Sequence, residues 1–334
     1  MIRATYELEP DGSAAALAVA ATVGVPDGPA FVRGQVVEEG GGRAVIDVPD
    51  EAFGGSLPAL LSALVGGEAG EDRSLTRCRL VGLDLTAGFL PGPSFPAPAG
   101  VGVGAIVKPS LGLGPAAVAE IAGAAAAGGA VLVKDDEKLG DPPWCRLEER
   151  VTAVAAAVGR SVVYCANVTG PVESLVERAG RAVALGATGV MVNAFVMGLD
   201  AVRALRDAAL GVPVFAHRVG SGPLARNERF GVAPAVLAGL TRLAGADYVI
   251  VGSFGGTLFE TDEQVRASLD ALRRPLDGGA APVAVIGGGI GPDNARAQVE
   301  AAGGGGLLVL VGSAAYRHPG GLEAGVRATC EAVA

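Results

Sequence analysis

From Val101 onward the chain repeats one unit. Eight apolar runs, "VGAIVKP", "AVLVKDD", "SVVYCANV", "GVMVNAF", "VPVFAHR", "DYVIVGS", "VAVIGGG" and "LLVLVGS", alternate with Ala/Leu/Glu/Arg segments at helical spacing such as "EERVTAVAAAVG" and "DEQVRASLDALRR". Many of those segments close on Gly, as helix C-termini do. Strict alternation of this kind builds a parallel sheet, because each parallel pair needs a crossover, usually a helix. Eight evenly spaced units over residues 101–334 predict an α/β fold in which the sheet closes as a (β/α)8 TIM barrel. A doubly wound open sheet is the alternative, but it seldom needs eight such units.

The first 90 residues have a different grammar. "IRATYELEP", the helix-like "GSAAALAVAATVG", two strands around the Gly-rich turn of "FVRGQVVEEGGGRAVIDVPD", the helix "SLPALLSALVGG" and the strand "RCRLVGLDLTA" predict a small α+β ferredoxin-like domain over residues 1–90. The Pro-rich "LPGPSFPAPAGVG" reads as an extended linker, with the boundary at 91–100.

A formal net charge of −9 gives no electrostatic footprint for nucleic acid or an anionic membrane. No clean apolar stretch approaches the roughly 20 residues of a membrane span, and the opening "MIRATYELEPDG" is mixed and charged, so neither a span nor a secretory signal is expected. Cys78, Cys145, Cys165 and Cys330 lack CxxC spacing, which argues against zinc or a disulfide framework and for a reducing cytoplasm.

In a barrel the chemistry sits where strands end. Those ends carry Lys108; Lys134, Asp135, Asp136 and Glu137; Asn167; Asn193; His217 and Arg218; Ser253; Gly287, Gly288 and Gly289; and Gly312 with Ser313. Side chains alternate along a strand, so Lys134 and Asp136 face one way, Asp135 the other, and Glu137 lies where the chain turns off. Two carboxylates are half of a hard-oxygen Mg²⁺ site. A protonated lysine beside them is only an ion pair, whereas a lysine carbamylated by CO₂ would supply a third anionic oxygen. Both readings, salt-bridged strand end and metal site, are open at this point. The loops "GGGIG" and "VGSAAY" follow the seventh and eighth runs, where barrels often bind phosphate through backbone N–H groups. Among 53 glycines the placement is what counts. Arg218 could fork a second phosphate or a carboxylate, or pair with a loop carboxylate.

The segments "AIVKPSLGLGP", "GGAVLVKDDEKLGDPPWCRLEERV", "YCANVTG", "FAHRVGSGPLAR", "VIGGGI" and "LVLVGSAAYRHPGG" resemble, in order, the motifs of the RuBisCO large-subunit superfamily over essentially the whole chain. The resemblance implies that Lys134 is the carbamylated lysine, that Asp136 and Glu137 complete a Mg²⁺ site, and that Lys108 assists proton transfer. It also implies a catalytic role for His217, a phosphate-binding role for Arg218, and a backbone phosphate site at Gly288, Gly289, Gly312 and Ser313.

The chain departs from the family pattern at several places. Thr257 stands where carboxylases carry a mobile lysine, Ile250 replaces a phosphate-contacting histidine, Ser110 a second lysine, Ile106 a threonine and Gly287 a serine. Gly67 stands where the family has a metal-proximal asparagine. Without the loop lysine the chain resembles the RuBisCO-like proteins, type IV and non-carboxylating. Their known classes are methionine-salvage enolases and isomerases and the decarboxylase or transcarboxylase/hydrolase of an oxo-isoapionate phosphate.

The expectation is a homodimeric Mg²⁺-dependent lyase or isomerase that enolises a phosphorylated keto-sugar or keto-acid. Two rivals remain: a Schiff-base aldolase or phosphatase built on Lys108, and a degenerate barrel that only binds a phosphorylated metabolite.

Overall fold

The computed structural model describes residues 1–22, 33–84, 92–95, 100–275 and 280–334. Half of the connector expected at 91–100 therefore lies outside the described residues. Of its described part, Ser94 and Phe95 each donate a backbone N–H to the buried Asp247 carboxylate at 2.8 Å, and Val214 N–H donates to the other oxygen at 2.8 Å. One carboxylate thus ties the connector to two barrel strands.

The N-terminal strands are β1 (Ile2–Glu9), β2 (Gln35–Gly40), β3 (Arg43–Val48) and β4 (Arg77–Asp84). They pair antiparallel in the order β4-β1-β3-β2, and with the helices between them give the small α+β, ferredoxin-like arrangement expected. Period-two alternation buries Ile2, Ala4, Tyr6 and Leu8 of β1. Leu17, Leu57, Leu60 and Leu64 from the helices Ala14–Ala20 and Leu57–Val65 belong to the same core. Ser56 caps the second helix by accepting from Ala59 N–H, and Tyr6 O–H donates to Leu64 O at 2.9 Å.

The barrel strands are β5 (Val101–Ile106), β6 (Leu132–Lys134), β7 (Val163–Asn167), β8 (Gly189–Asn193), β9 (Val214–His217), β11 (Tyr248–Val251), β12 (Val283–Gly287) and β13 (Leu307–Val311). Every neighbouring pair is parallel, and β13 closes on β5 with Leu307 opposite Val101. Seven of these strands fall within the apolar runs of the sequence, and β5 begins two residues before its run. Leu132, Cys165, Met191, Phe215, Ile250, Val285, Leu308 and Leu310 fill the interior, so the barrel is a packed core and not a pore.

A thirteenth strand was not foreseen. β10 (Phe230–Val232), in the loop that leaves β9, pairs parallel with Cys78, Arg79 and Leu80 of β4, so a piece of the barrel's chain forms one edge of the N-terminal sheet. Cys78 N–H donates to Arg229 O at 2.9 Å and Ala233 N–H to Leu80 O at 2.8 Å. The buried Arg79 guanidinium donates to the carbonyls of Ala225 and Asn227. No helix among the described residues is long and apolar enough to cross a membrane, and the four cysteines are free thiols.

Candidate active site

The four charged residues that end β6 divide as their alternation requires. Asp135 points into the protein, where it is fully buried and accepts from Arg150 Nε at 3.0 Å, Tyr164 O–H at 3.1 Å and Asn167 N–H at 2.9 Å. Arg150 spends its remaining donors on the carbonyls of Cys145 (2.8 Å) and Gly140 (2.9 Å), so the pair pins the loop after β6. Lys134, Asp136 and Glu137 form a separate cluster. Lys134 is fully buried, and its Nζ donates to Asp135 O at 2.8 Å and to Glu137 Oε2 at 3.4 Å. Asp136 receives Lys138 N–H at 3.0 Å on one oxygen and is ion-paired with Lys108 Nζ on the other. Two amides support the turn from behind: Asn167 Nδ2 donates to the carbonyls of Asp136 and Glu137, and Asn193 Nδ2 to Glu137 O at 2.8 Å.

Electrostatics follow from this packing. Burial lowers the pKa of the Lys134 ammonium below its ordinary 10.5, despite Glu137 and Asp136 beside it. Burial pushes the Glu137 carboxyl up, but the positive charges of Lys134 and Lys108 outweigh it and hold the group below the usual range. His217 ends β9 with Nε2 3.6 Å from Glu137 Oε2. Burial, then the charge of Lys134, pushes its pKa well below 6.5, so the ring is neutral. Its Nδ1 accepts from Val219 N–H at 3.2 Å, which puts the ring proton on Nε2.

These groups open on a cavity of about 590 Å³ at the C-terminal mouth of the barrel. Lys108, Glu137, His217 and Arg218 line it together with Gly288, Gly289, Gly312 and Ser313, at the ends of β12 and β13. Gly288 and Gly289 have φ of 122° and 82°, and a side chain on either would meet Leu258 or Thr257 at about 3 Å, so only glycine fits. Ser253 Oγ donates to Gly288 O at 2.6 Å and fixes that loop. Ile106, Ile250 and Leu310 floor the space between.

Every expected site residue but Asp136 and Lys134 lines this cavity. Those two lie just beneath it, Asp136 through Lys108 and Lys134 through Glu137. Gly67 opens a helix of the N-terminal domain and is not among the lining residues. Arg218 pairs with Glu260, the loop-carboxylate option of the sequence reading.

Three contributors escaped the sequence. Tyr316 O–H donates to Ile106 O at 2.9 Å and accepts from Lys108 N–H at 2.7 Å, so it positions the strand-end lysine; burial pushes its pKa up to about 12. Arg317 lines the cavity. Glu260 holds Arg218. Tyr316 and Arg317 lie one helical turn beyond Ser313, a spacing that could have flagged them.

The donor set can be tested against Mg²⁺. Among the described residues no three His, Cys, Asp or Glu side chains converge as a ready metal site. Asp136 and Glu137 supply two, and a carbamate on Lys134 would supply a third anionic oxygen. A buried amine held toward its neutral form is the one that adds CO₂, and the carbamate would sit against Glu137. With that addition the residues fit a hard divalent cation.

Residues 97–334 match the family described as ribulose bisphosphate carboxylase large chain, catalytic domain. A ribulose bisphosphate carboxylase-like protein of Allochromatium vinosum is 34% identical over 316 residues, 87% of this chain and 68% of that one. The chain belongs to the RuBisCO large-chain family, on its RuBisCO-like, type IV branch. A 2,3-diketo-5-methylthiopentyl-1-phosphate enolase of Geobacillus thermodenitrificans is 34% identical to this RuBisCO-like chain over 310 residues (86% and 74% of the two chains). A 3-oxo-isoapionate-4-phosphate transcarboxylase/hydrolase of Xanthobacter autotrophicus is 33% identical over 304 residues (84% and 73%). The octameric RuBisCO of Pyrococcus horikoshii superposes with a TM-score of 0.91 at 27% identity, over 99% of this chain and 88% of that one.

Proposed function

We propose that this RuBisCO-like chain is a Mg²⁺-dependent enzyme that enolises a phosphorylated keto-sugar or keto-acid and works as a lyase or isomerase without fixing CO₂. The observation that carries the reading is the buried Lys134 beside Asp136 and Glu137, beneath a cavity that also presents Lys108, His217 and a glycine rim. Carbamylated Lys134, Asp136 and Glu137 would hold the ion, which when bound polarises a carbonyl and offsets charge on its oxygen.

The chain's own groups supply the rest. Lys108 Nζ stands at the cavity wall, oriented through Tyr316 and Ser110; with Asp136 turned to the ion its pair is released, and once neutral the amine would take a proton from the carbon beside the carbonyl and return it. His217, neutral with its proton on Nε2, donates to the oxygen that gains charge. The backbone N–H groups of Gly288, Gly289, Gly312 and Ser313 seat a phosphate. Thr257 at the glycine rim brings no cation for a second electrophile, which supports enolisation without carboxylation.

The names of the Geobacillus and Xanthobacter relatives support a diketone phosphate or a 3-oxo acid phosphate as the substrate. We place this chain in an assembly of at least two copies, to be checked by light scattering.

The test is deuterium uptake from D₂O into phosphorylated ketoses and 3-oxo acid phosphates, with and without Mg²⁺ and bicarbonate. Exchange that needs both additives, and is lost with CO₂-dependent metal binding in Lys134→Ala, is expected. Retention of metal binding and exchange in Lys134→Ala would sink the reading.

A further inference from the structure

Gly288 and Gly289 share one peptide unit, and nothing in the two residues themselves decides which way it faces. Neither carries a Cβ, so the plane can turn about its flanking Cα atoms without meeting a side chain of its own. At a ligand site the two orientations are opposites. One aims the Gly289 N–H at the cavity, where it can donate to an anion; the other aims the Gly288 carbonyl there, which repels one.

The orientation is set from behind. Ser253, 3% exposed and outside the cavity lining, donates its hydroxyl to Gly288 O at 2.6 Å, while Thr257 N–H reaches the same oxygen only at 3.5 Å. The hydroxyl is the firm contact of the two. Gly256 makes room for it: a Cβ there would stand 1.9 Å from Ser253 Oγ and 2.8 Å from Gly288 O. The cis peptide bonds among the described residues precede Pro10 and Pro109, so the 288–289 bond is trans and its N–H points opposite to its carbonyl. The Gly289 N–H therefore points away from Ser253, and it has no hydrogen-bond partner among the described residues. The next peptide plane is held separately. Asn294 Nδ2 donates to Gly289 O at 3.2 Å, and its Oδ1 accepts from Gly291 N–H at 2.9 Å.

We propose that Ser253 is a positioning residue: its buried hydroxyl locks the Gly288–Gly289 peptide with the Gly289 N–H toward the cavity, a role that rests on the phosphate seat proposed above. Ser253 itself never touches the ligand. Without the hydroxyl the plane is free to turn, and its carbonyl then meets the incoming charge.

Inorganic phosphate titrated into the full chain, followed by calorimetry and by the ¹⁵N-labelled backbone amide spectrum, tests this. In wild type the Gly289 amide proton should move downfield as phosphate binds. Ser253→Ala should weaken binding about tenfold, the loss of one charge-assisted hydrogen bond, and abolish that movement, whereas Ser253→Thr, which keeps the hydroxyl, should stay within about threefold of wild type. A hydroxyl that only filled space would leave the Gly289 response untouched when it is removed. If folded Ser253→Ala binds phosphate as wild type does and Gly289 still responds, the proposal is overturned and the phosphate seat stands. If wild type binds phosphate with Gly312 or Ser313 responding and Gly289 silent, the proposal falls with no variant needing to fold. If no phosphate binds, or none of the four rim amides responds, the seat falls and the proposal with it.

Discussion

Four consecutive residues, Lys134 to Glu137, split between two environments, and substitutions should separate them. Asp135 and Arg150 are both fully buried, so removing one strands the other: Arg150→Met or Asp135→Asn should cost about 3–5 kcal/mol in urea unfolding. Asp136→Asn should leave stability far less changed and reduce deuterium exchange by at least about a hundredfold. Lys134 also predicts a pH dependence. Its folded pKa lies below 10.5, so the protonated fraction falls as pH rises through that lower value, and only the free amine adds CO₂. Uptake of ¹³C-bicarbonate as carbamate should therefore rise with pH, and do so at lower pH than an ordinary exposed lysine would allow. By linkage the unfolded chain binds the proton more readily, so this group's contribution to stability is present above the ordinary lysine pKa and lost as pH falls through the folded one. The two faces of this quartet were legible from alternation alone. Arg150 as the partner of Asp135 was not, because the pairing depends on how a helix fifteen residues later lies against β7.

At the level of elements, the eight strands were legible because each is a short apolar run with a polar end, and their ends located the site. β10 was not, since three residues with a central glycine carry no period and the partner strand lies about 150 positions earlier. Gly231 has φ of 105°, and a Cβ there would stand 2.2 Å from Leu224 O, a backbone atom that cannot yield. Gly231→Ala should therefore break the pairing with β4, seen as loss of amide protection at Cys78 and Leu80 and a lower melting temperature. Tyr316 was invisible for a similar reason: its contact with Lys108 joins positions 208 apart. Tyr316→Phe removes the acceptor for Lys108 N–H, so kcat should fall about tenfold with phosphate affinity unchanged.

For the whole molecule, a net charge of −9 disfavours anionic ligands at long range, so binding must come from local groups such as the glycine rim and Arg317. Metal and CO₂ should act as one ligand. Mg²⁺ with bicarbonate should raise the melting temperature by about 2 °C or more, neither alone should match it, and Lys134→Ala should abolish the joint effect. Fold class and most of the mouth could be read from order and spacing; a loop carboxylate was one option for Arg218, but that it is Glu260 could not be read, because the partner stands 42 positions away. The strand exchange at β10 also bears on how the chain can be divided. A barrel cut free at the Pro-rich connector would carry an orphaned strand edge in the loop between β9 and β11 and would lose the Arg79 clamp on Ala225 and Asn227. Such a fragment would be a sticky one, its substrate loop slack, and the two halves are better regarded as a single machine stitched together than as a lid and a pot.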